Sequence, residues 1–214
     1  MSFFPMFIKL ENVSCLVVGG GGVAHRKAMV LCDFGALVTV VAPEICPELC
    51  QMDGIEYCIR NYRESDLRGR CLVVAATDDE DMNRRISQDC RARGIPVNAV
   101  DQPEDCDFIF PSYLRKGEVV AAFSSGGRSP VITQYLRQKN ETVLTDTLGQ
   151  LAECLGSLRQ TAKKQIREPH KRREFYYELL QLGLAEDRIP EETEILNVMR
   201  EVMEDGPYET VADE

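Results

Sequence analysis

The stretch Cys15-Leu16-Val17-Val18-Gly19-Gly20-Gly21-Gly22-Val23-Ala24 constrains this chain more than any other. A short apolar run that ends in consecutive glycines and continues into a helical pattern over residues 22–34 fits a buried strand, a tight turn and a helix start. Each small residue has its own reason. Gly19 allows the turn, Gly21 lets backbone approach a diphosphate, and Ala24 permits close helix-to-strand packing. Free amides at the helix start then face the phosphates, so in this setting the loop points to a bound dinucleotide. The alternative is a turn that serves packing alone.

The same alternation continues downstream. Short valine-rich runs at 15–18, 37–41, 55–59, 71–75 and 97–100 read as buried parallel strands, with helices at 22–34 and 79–93 between them. Pro43, Pro47 and Gly54 leave room for only a helical turn between 42 and 54. The sum is an α/β chain with an N-terminal Rossmann-like parallel sheet over residues 1–112. From Phe108 the pattern changes. Phe108-Ile109-Phe110-Pro111 and Glu118 to Phe123 read as strands, with Lys116-Gly117 as a hairpin turn after Tyr113-Leu114. A helix starts at Ser129-Pro130, a good cap followed by proline at the first helical position. Beyond Thr145 the reading is all-helical. Leu148, Leu151, Leu155, Leu158, Ala162 and Ile166 form one apolar stripe, Pro169 ends that helix, and 171–182 and 191–203 make shorter ones. The last ten or so residues read as disordered.

With 214 residues, 44% hydrophobic and 28% charged, the chain is long enough for an ordinary domain plus a smaller one. No stretch approaches the roughly 20 apolar residues of a membrane span, and Met1-Ser2-Phe3-Phe4-Pro5 lacks the features of a secretory signal. A cytoplasmic protein without membrane or nucleic-acid partners is expected. Nine scattered cysteines and only two histidines, His25 and His170, lack metal-ligand spacing, so no metal site is expected and the thiols read as small buried hydrophobes. The net charge of −10 is a property of the tail: residues 177–214 hold 12 acidic and 2 basic side chains, whereas Gly156 to Tyr176 holds seven Lys or Arg against Glu168 and Glu174. That basic stretch is either a solvated helix face or a wall toward an anionic ligand.

A ribose-binding acid should follow the second strand, and Glu44 stands two positions late. Glu44 and Pro43, or backbone near Ala42 and Pro43, are the candidates, and the lack of Arg or Lys at 40–45 favours NAD over NADP. Asp101 follows the last strand at its carboxyl end, where open α/β sheets bind ligands; it is either a proton acceptor or a turn-forming aspartate. Ser124-Ser125-Gly126-Gly127-Arg128-Ser129-Pro130 precedes a helix and is either an anion-binding loop or a plain connection. Tyr135 and Lys139 match the spacing of short-chain dehydrogenases, but the glycine loop does not. Asp78-Asp79-Glu80-Asp81 is accounted for by a helix N-terminus.

Together, Val17 to Ala28, Ala75-Ala76-Thr77-Asp78-Asp79, Val97-Asn98-Ala99-Val100-Asp101, Phe108-Ile109-Phe110-Pro111-Ser112 and the Ser124 to Pro130 loop resemble the siroheme synthase N-terminal module, the precorrin-2 dehydrogenase family. The resemblance runs through Leu148-Gly149-Gln150 and Arg172-Arg173-Glu174-Phe175, about residues 1 to 180. It implies an NAD-dependent oxidation of precorrin-2 to sirohydrochlorin in siroheme (porphyrin-type) biosynthesis, with insertion of Fe²⁺ as well in some members. It also implies a homodimer, with a small α+β dimerisation region at 113–144 and a helical C-terminal domain at 145–214. Asp101 then matches the catalytic carboxylate. Gly22 and Val23 match nicotinamide contacts, Pro43 and Glu44 ribose contacts, and Ser125 a serine that is phosphorylated in some members.

The residues agree with that implication. A polycarboxylate tetrapyrrole needs a locally positive, amide-rich wall, which Ser124, Ser125, Gly126 and Arg128, with Arg115, Lys116 and the basic helix, can supply. A non-catalytic NAD-sensing module with a partner-binding helical tail is the alternative that the glycine loop alone allows.

Overall fold

The computed structural model describes residues 3–204. The expected disorder of the last ten residues lies outside the described residues. The chain divides into two compact units, Met1–Phe110 with Gly126–Arg128, and Pro111–Ser125 with Ser129–Glu214.

In the first unit five parallel strands, β1 (Ser14–Val18), β2 (Leu37–Ala42), β3 (Glu56–Ile59), β4 (Leu72–Ala75) and β5 (Val97–Ala99), stand in the order β3-β2-β1-β4-β5. The valine-rich runs of β1, β2 and β4 are nearly continuous because both faces are covered there. Cys15 and Val17 of β1 enter one core with Val38, Val40, Leu72 and Val74, and Leu16 and Val18 enter the other with Val41, Val73 and Ala75. Successive side chains of a strand alternate faces, so a one-residue slip would exchange the two cores. Leu16 is fully buried, and its truncation to alanine would cost about 2–5 kcal/mol.

Helix α1 (Gly22–Asp33) buries Ala24, Ala28 and Leu31 on the first core. The single turn expected after β2 is α2 (Pro47–Cys50). Helix α3 (Glu80–Arg91) packs Ile86 and Cys90 on the second core and buries Asn83 and Ser87 beside them, a spacing of three and four residues.

The second unit holds an antiparallel hairpin, β6 (Ser112–Lys116) with β7 (Val119–Phe123), then α4 (Pro130–Asn140), α5 (Asp146–Ser157), α6 (Arg159–Gln165), α7 (Pro169–Glu186) and α8 (Glu192–Glu204). The hairpin turns at Gly117, whose φ of 57° favours glycine. Ala162, Ile166, Phe175, Leu179, Met199 and Val202 form its helical core.

Three expectations are corrected. Phe108–Pro111 is not a strand: Asn98 Nδ2 donates to the Phe108 carbonyl at 2.9 Å, both phenylalanines pack on the first core, and the ladder begins only at Ser112. Pro169 opens α7 instead of ending a helix, since at the first helical position its missing N–H costs nothing; the preceding helix is split at Leu158 and ends at Gln165. Of the nine free cysteines only Cys15 and Cys90 are buried, while Cys50 and Cys71 are exposed. Burial pushes the thiol of Cys15 up to about 11 and that of Cys90 up to about 12, so both stay protonated at neutral pH.

Candidate functional site

The carboxyl ends of the strands open into a cavity of about 850 Å³, lined by Val18 to Val23, Val41 to Cys46, Asn61, Tyr62, Ala76 to Glu80, Met82, Asn83, Val100 and Asp101. It lies on the sheet end where an open α/β fold binds ligands.

The four glycines have two different reasons to be glycine. Gly19 has φ 125° and donates its N–H to the Val41 carbonyl at 2.9 Å, and a Cβ there would collide with the Ala76 carbonyl. Gly20 accepts from the Cys46 N–H at 2.8 Å, and a Cβ on it would collide with the Glu44 carbonyl. These two hold the ends of β2 and β4 close to the loop. Gly21 has an ordinary φ of −86°, and a Cβ on it would meet nothing within 4 Å. At Gly22 a Cβ would find only Arg26 Nη1, at 3.8 Å. No packing of the protein against itself requires the last two glycines. Their missing side chains clear space at the start of α1, which has neither a side-chain cap nor an acid in its first turn. That is a cradle for an anionic group held by helix amides.

On one side of the loop lie Ala42, Pro43 and Glu44 at the end of β2, and Asn61 and Tyr62 just after β3. Sequence reasoning missed Asn61 and Tyr62. Parallel pairing of β3 with β2 brings them to the cavity, and no local motif marks them. Tyr62 donates to Asp89 Oδ2 at 3.1 Å, and burial, reinforced by that carboxylate, pushes its phenol up.

On the other side, Asn83 clamps the turn after β4. Its Oδ1 accepts from the Thr77 backbone N–H at 3.1 Å and hydroxyl at 2.7 Å, and its Nδ2 donates to the Thr77 carbonyl at 3.0 Å. Asp79 caps α3, accepting from the N–H groups of Asp81 and Met82 at 3.0 Å, and Asp81 pairs with Arg84 at 3.1 Å. Asp101 lies just past β5 at φ 59°, a left-handed conformation that aspartate tolerates better than most residues. The turn is fixed from below: Gln102 Nε2 donates to the Glu80 carbonyl at 2.9 Å, and the Cys106 thiol donates to the Ala99 carbonyl at 3.0 Å. Lys27 Nζ stands 4.0 Å from the centre of the Phe110 ring. Burial and Arg26 push this ammonium down, while Cys106 and Asp101 draw it back up.

Gly19, Gly21, Gly22, Val23, Pro43, Glu44 and Asp101 therefore line one cavity. Ser124, Ser125, Gly126 and Arg128 form the turn between β7 and α4. In that turn Ser125 Oγ accepts from the Ser129 N–H at 2.9 Å and donates to the Ser129 carbonyl at 3.1 Å. Gly126 and Gly127 have φ of 64° and 81°, and Arg128 is exposed. Tyr135 and Lys139 make a cation–π contact at 5.8 Å along an exposed face of α4.

The family model described as "Putative NAD(P)-binding" matches residues 6–112, and that of the sirohaem synthase dimerisation region matches residues 147–188. The chain is 45% identical over 189 residues to the siroheme synthase of Thioalkalivibrio sulfidiphilus, covering 87% of this chain and 39% of the relative. It is 45% identical over 200 residues to that of Ectopseudomonas mendocina, covering 92% and 43%. The chain thus spans about two fifths of the length of these curated relatives. The solved structure of SirC, a precorrin-2 dehydrogenase, shares the fold with a TM-score of 0.70 at 21% identity, covering 94% of this chain and 99% of that one. The glycine loop, the five-stranded sheet and the helical region after it thus have their counterparts in one group of proteins, and the chain belongs to the siroheme synthase family, in the part that joins an NAD(P)-binding domain to the dimerisation region.

Proposed function

We propose that this chain oxidises precorrin-2 to sirohydrochlorin with NAD⁺, as a homodimer in the cytoplasm. The observation that carries the reading is the pairing of an open glycine cradle, Gly21 and Gly22, with the carboxylate of Asp101 on the wall of the same cavity. The family membership and the precorrin-2 dehydrogenase with this fold support the choice of substrate.

The residues present fit the dinucleotide. The free amides at the start of α1 would hold its diphosphate, Gly22 and Val23 would meet the nicotinamide, and Pro43 and Glu44 would border one ribose. None of the cavity-lining residues is Lys, Arg or His, which favours NAD over a form with an added 2′-phosphate. Bound NAD⁺ supplies the hydride acceptor. Asp101 accepts the proton that the macrocycle loses, from a turn held rigid by Gln102 and Cys106. Ser124, Ser125, Gly126 and Arg128 receive substrate carboxylates through backbone amides and the guanidinium.

A second copy of the chain accounts for α4. This helix buries none of its own side chains, and Val131, Ile132 and Tyr135 are 73%, 55% and 57% exposed. Among the described residues no helix is long and apolar enough to cross a membrane.

Purified protein incubated with precorrin-2 and NAD⁺ should form NADH and sirohydrochlorin in equal amounts. Binding of NAD⁺ without either product would overturn the enzymatic reading in favour of a nucleotide-sensing module. Anaerobic addition of Fe²⁺ to sirohydrochlorin and protein tests for metal insertion by the same chain.

A further inference from the structure

The sheet order places the glycine loop at the centre of the cavity and divides its lining. The ends of β2 and β3 supply one half, and the ends of β4 and β5 supply the other. The second half carries Asp78, Asp79, Glu80 and Asp101. None of these four forms an ion pair with a cation among the described residues. Of the cations near the cleft, one responds to Asp101: burial pushes the Lys27 ammonium down, and the charge of Asp101 draws it back up. Arg26 lies beside Gly22 at the helix start, and Lys27 is half-buried against Phe110. The cleft itself rests on the open glycines; the four carboxylates set the electrostatic character of one of its halves.

We infer that this half of the cleft selects the redox state of the dinucleotide, holding oxidised NAD⁺, whose nicotinamide ring is a cation, more tightly than NADH, whose ring is neutral. The inference rests on the reading of Asp101 as the proton acceptor, because that role puts the nicotinamide in the half of the cleft that contains it. The two forms share their adenosine, riboses and diphosphate, so every other contact cancels in the ratio of their affinities. What remains is one positive charge facing Asp78 and Glu80, since Asp79 is engaged in capping α3 and Asp101 acts also on Lys27. Two such charges at partly screened distances amount to about a tenfold difference in Kd. The site therefore releases its reduced product readily, and NADH is a weak product inhibitor.

Calorimetric titration of the full chain with NAD⁺ and, separately, with NADH tests this at low and high salt. NADH should bind about tenfold more weakly at low salt, and the ratio should fall toward one as salt rises. Asp78→Asn should lower the ratio severalfold by weakening NAD⁺ alone. Asp78 is suited to the test because Asp79, not Asp78, caps α3. Glu80→Gln is the second variant, in case the first disturbs the turn. Equal or tighter binding of NADH, with NAD⁺ still bound, would overturn the inference and leave the enzymatic reading intact. Failure of both forms to bind would overturn the dinucleotide reading and the inference with it.

Discussion

Two helices of this protein begin after glycine-rich turns, and they treat their first amides in opposite ways. Before α1, Gly21 caps with backbone alone and no acid stands in the first turn. Before α4, Ser129 offers its hydroxyl to the Ile132 N–H at 3.4 Å, Pro130 removes one amide altogether, and Ser125 satisfies the Ser129 N–H. Every helix start leaves up to four N–H groups without an intrahelical partner. A helix that fills them from its own sequence is a stable end, and one that leaves them open at the rim of a cavity is prepared for an anion. By this criterion α1, and not α4, is the helix we propose for the cofactor.

The sharpest way to break that comparison is to ask whether all four glycines before α1 serve the ligand. Gly19→Ala should not: a left-handed φ and a backbone collision should cost about 3 kcal/mol of stability, read as a large fall in the melting temperature with or without NAD⁺. A variant that melts like the parent would show that the loop is not wedged between β2 and β4. Asp101→Asn addresses the other wall. Turnover should fall about a thousandfold while the Kd for NAD⁺ changes less than about threefold, since the amide keeps the shape but accepts no proton. Undiminished turnover would remove Asp101 from the mechanism.

The strand, turn and helix around the glycine loop were legible in the sequence because a strand buried on both faces has an unmistakable run, Cys15 to Val18, and the small residues follow it directly. The division of labour within the loop was not. Gly20 is glycine because of Glu44, twenty-four positions away, and a contact made by tertiary folding leaves no local mark. Asn61 and Tyr62 escaped for the same reason. Phe108 to Pro111 misled in the opposite direction: aromatic and β-branched residues favour a strand wherever they pack on an apolar surface, and here that surface is the core beneath the Asp101 turn. Pro169 reads equally well as a stop or a start, and only the end of the preceding helix at Gln165 decides between them.

A third variant sharpens the comparison at the ligand side of α1. Gly21→Val enters open space at an ordinary backbone angle, so the melting temperature of the free protein should hold. The Kd for NAD⁺ should nevertheless rise at least about a hundredfold, because the new side chain occupies the place left for the diphosphate. Loss of stability equal to that of Gly19→Ala would mean that Gly21 too is a packing residue.

The smallest effect belongs to the capped helix. Ser129→Ala removes the hydroxyl that accepts from Ile132 and should cost about 1 kcal/mol, a shift of a few degrees in melting temperature. The Kd for NAD⁺ should stay as it was, since the amides that Ser129 satisfies are those of α4. Were the same substitution to weaken NAD⁺ binding while leaving stability unchanged, α4 and not α1 would be the helix that leaves its amides for the cofactor. The contrast between a helix start closed by its own serine and one left open by glycine would then be reversed.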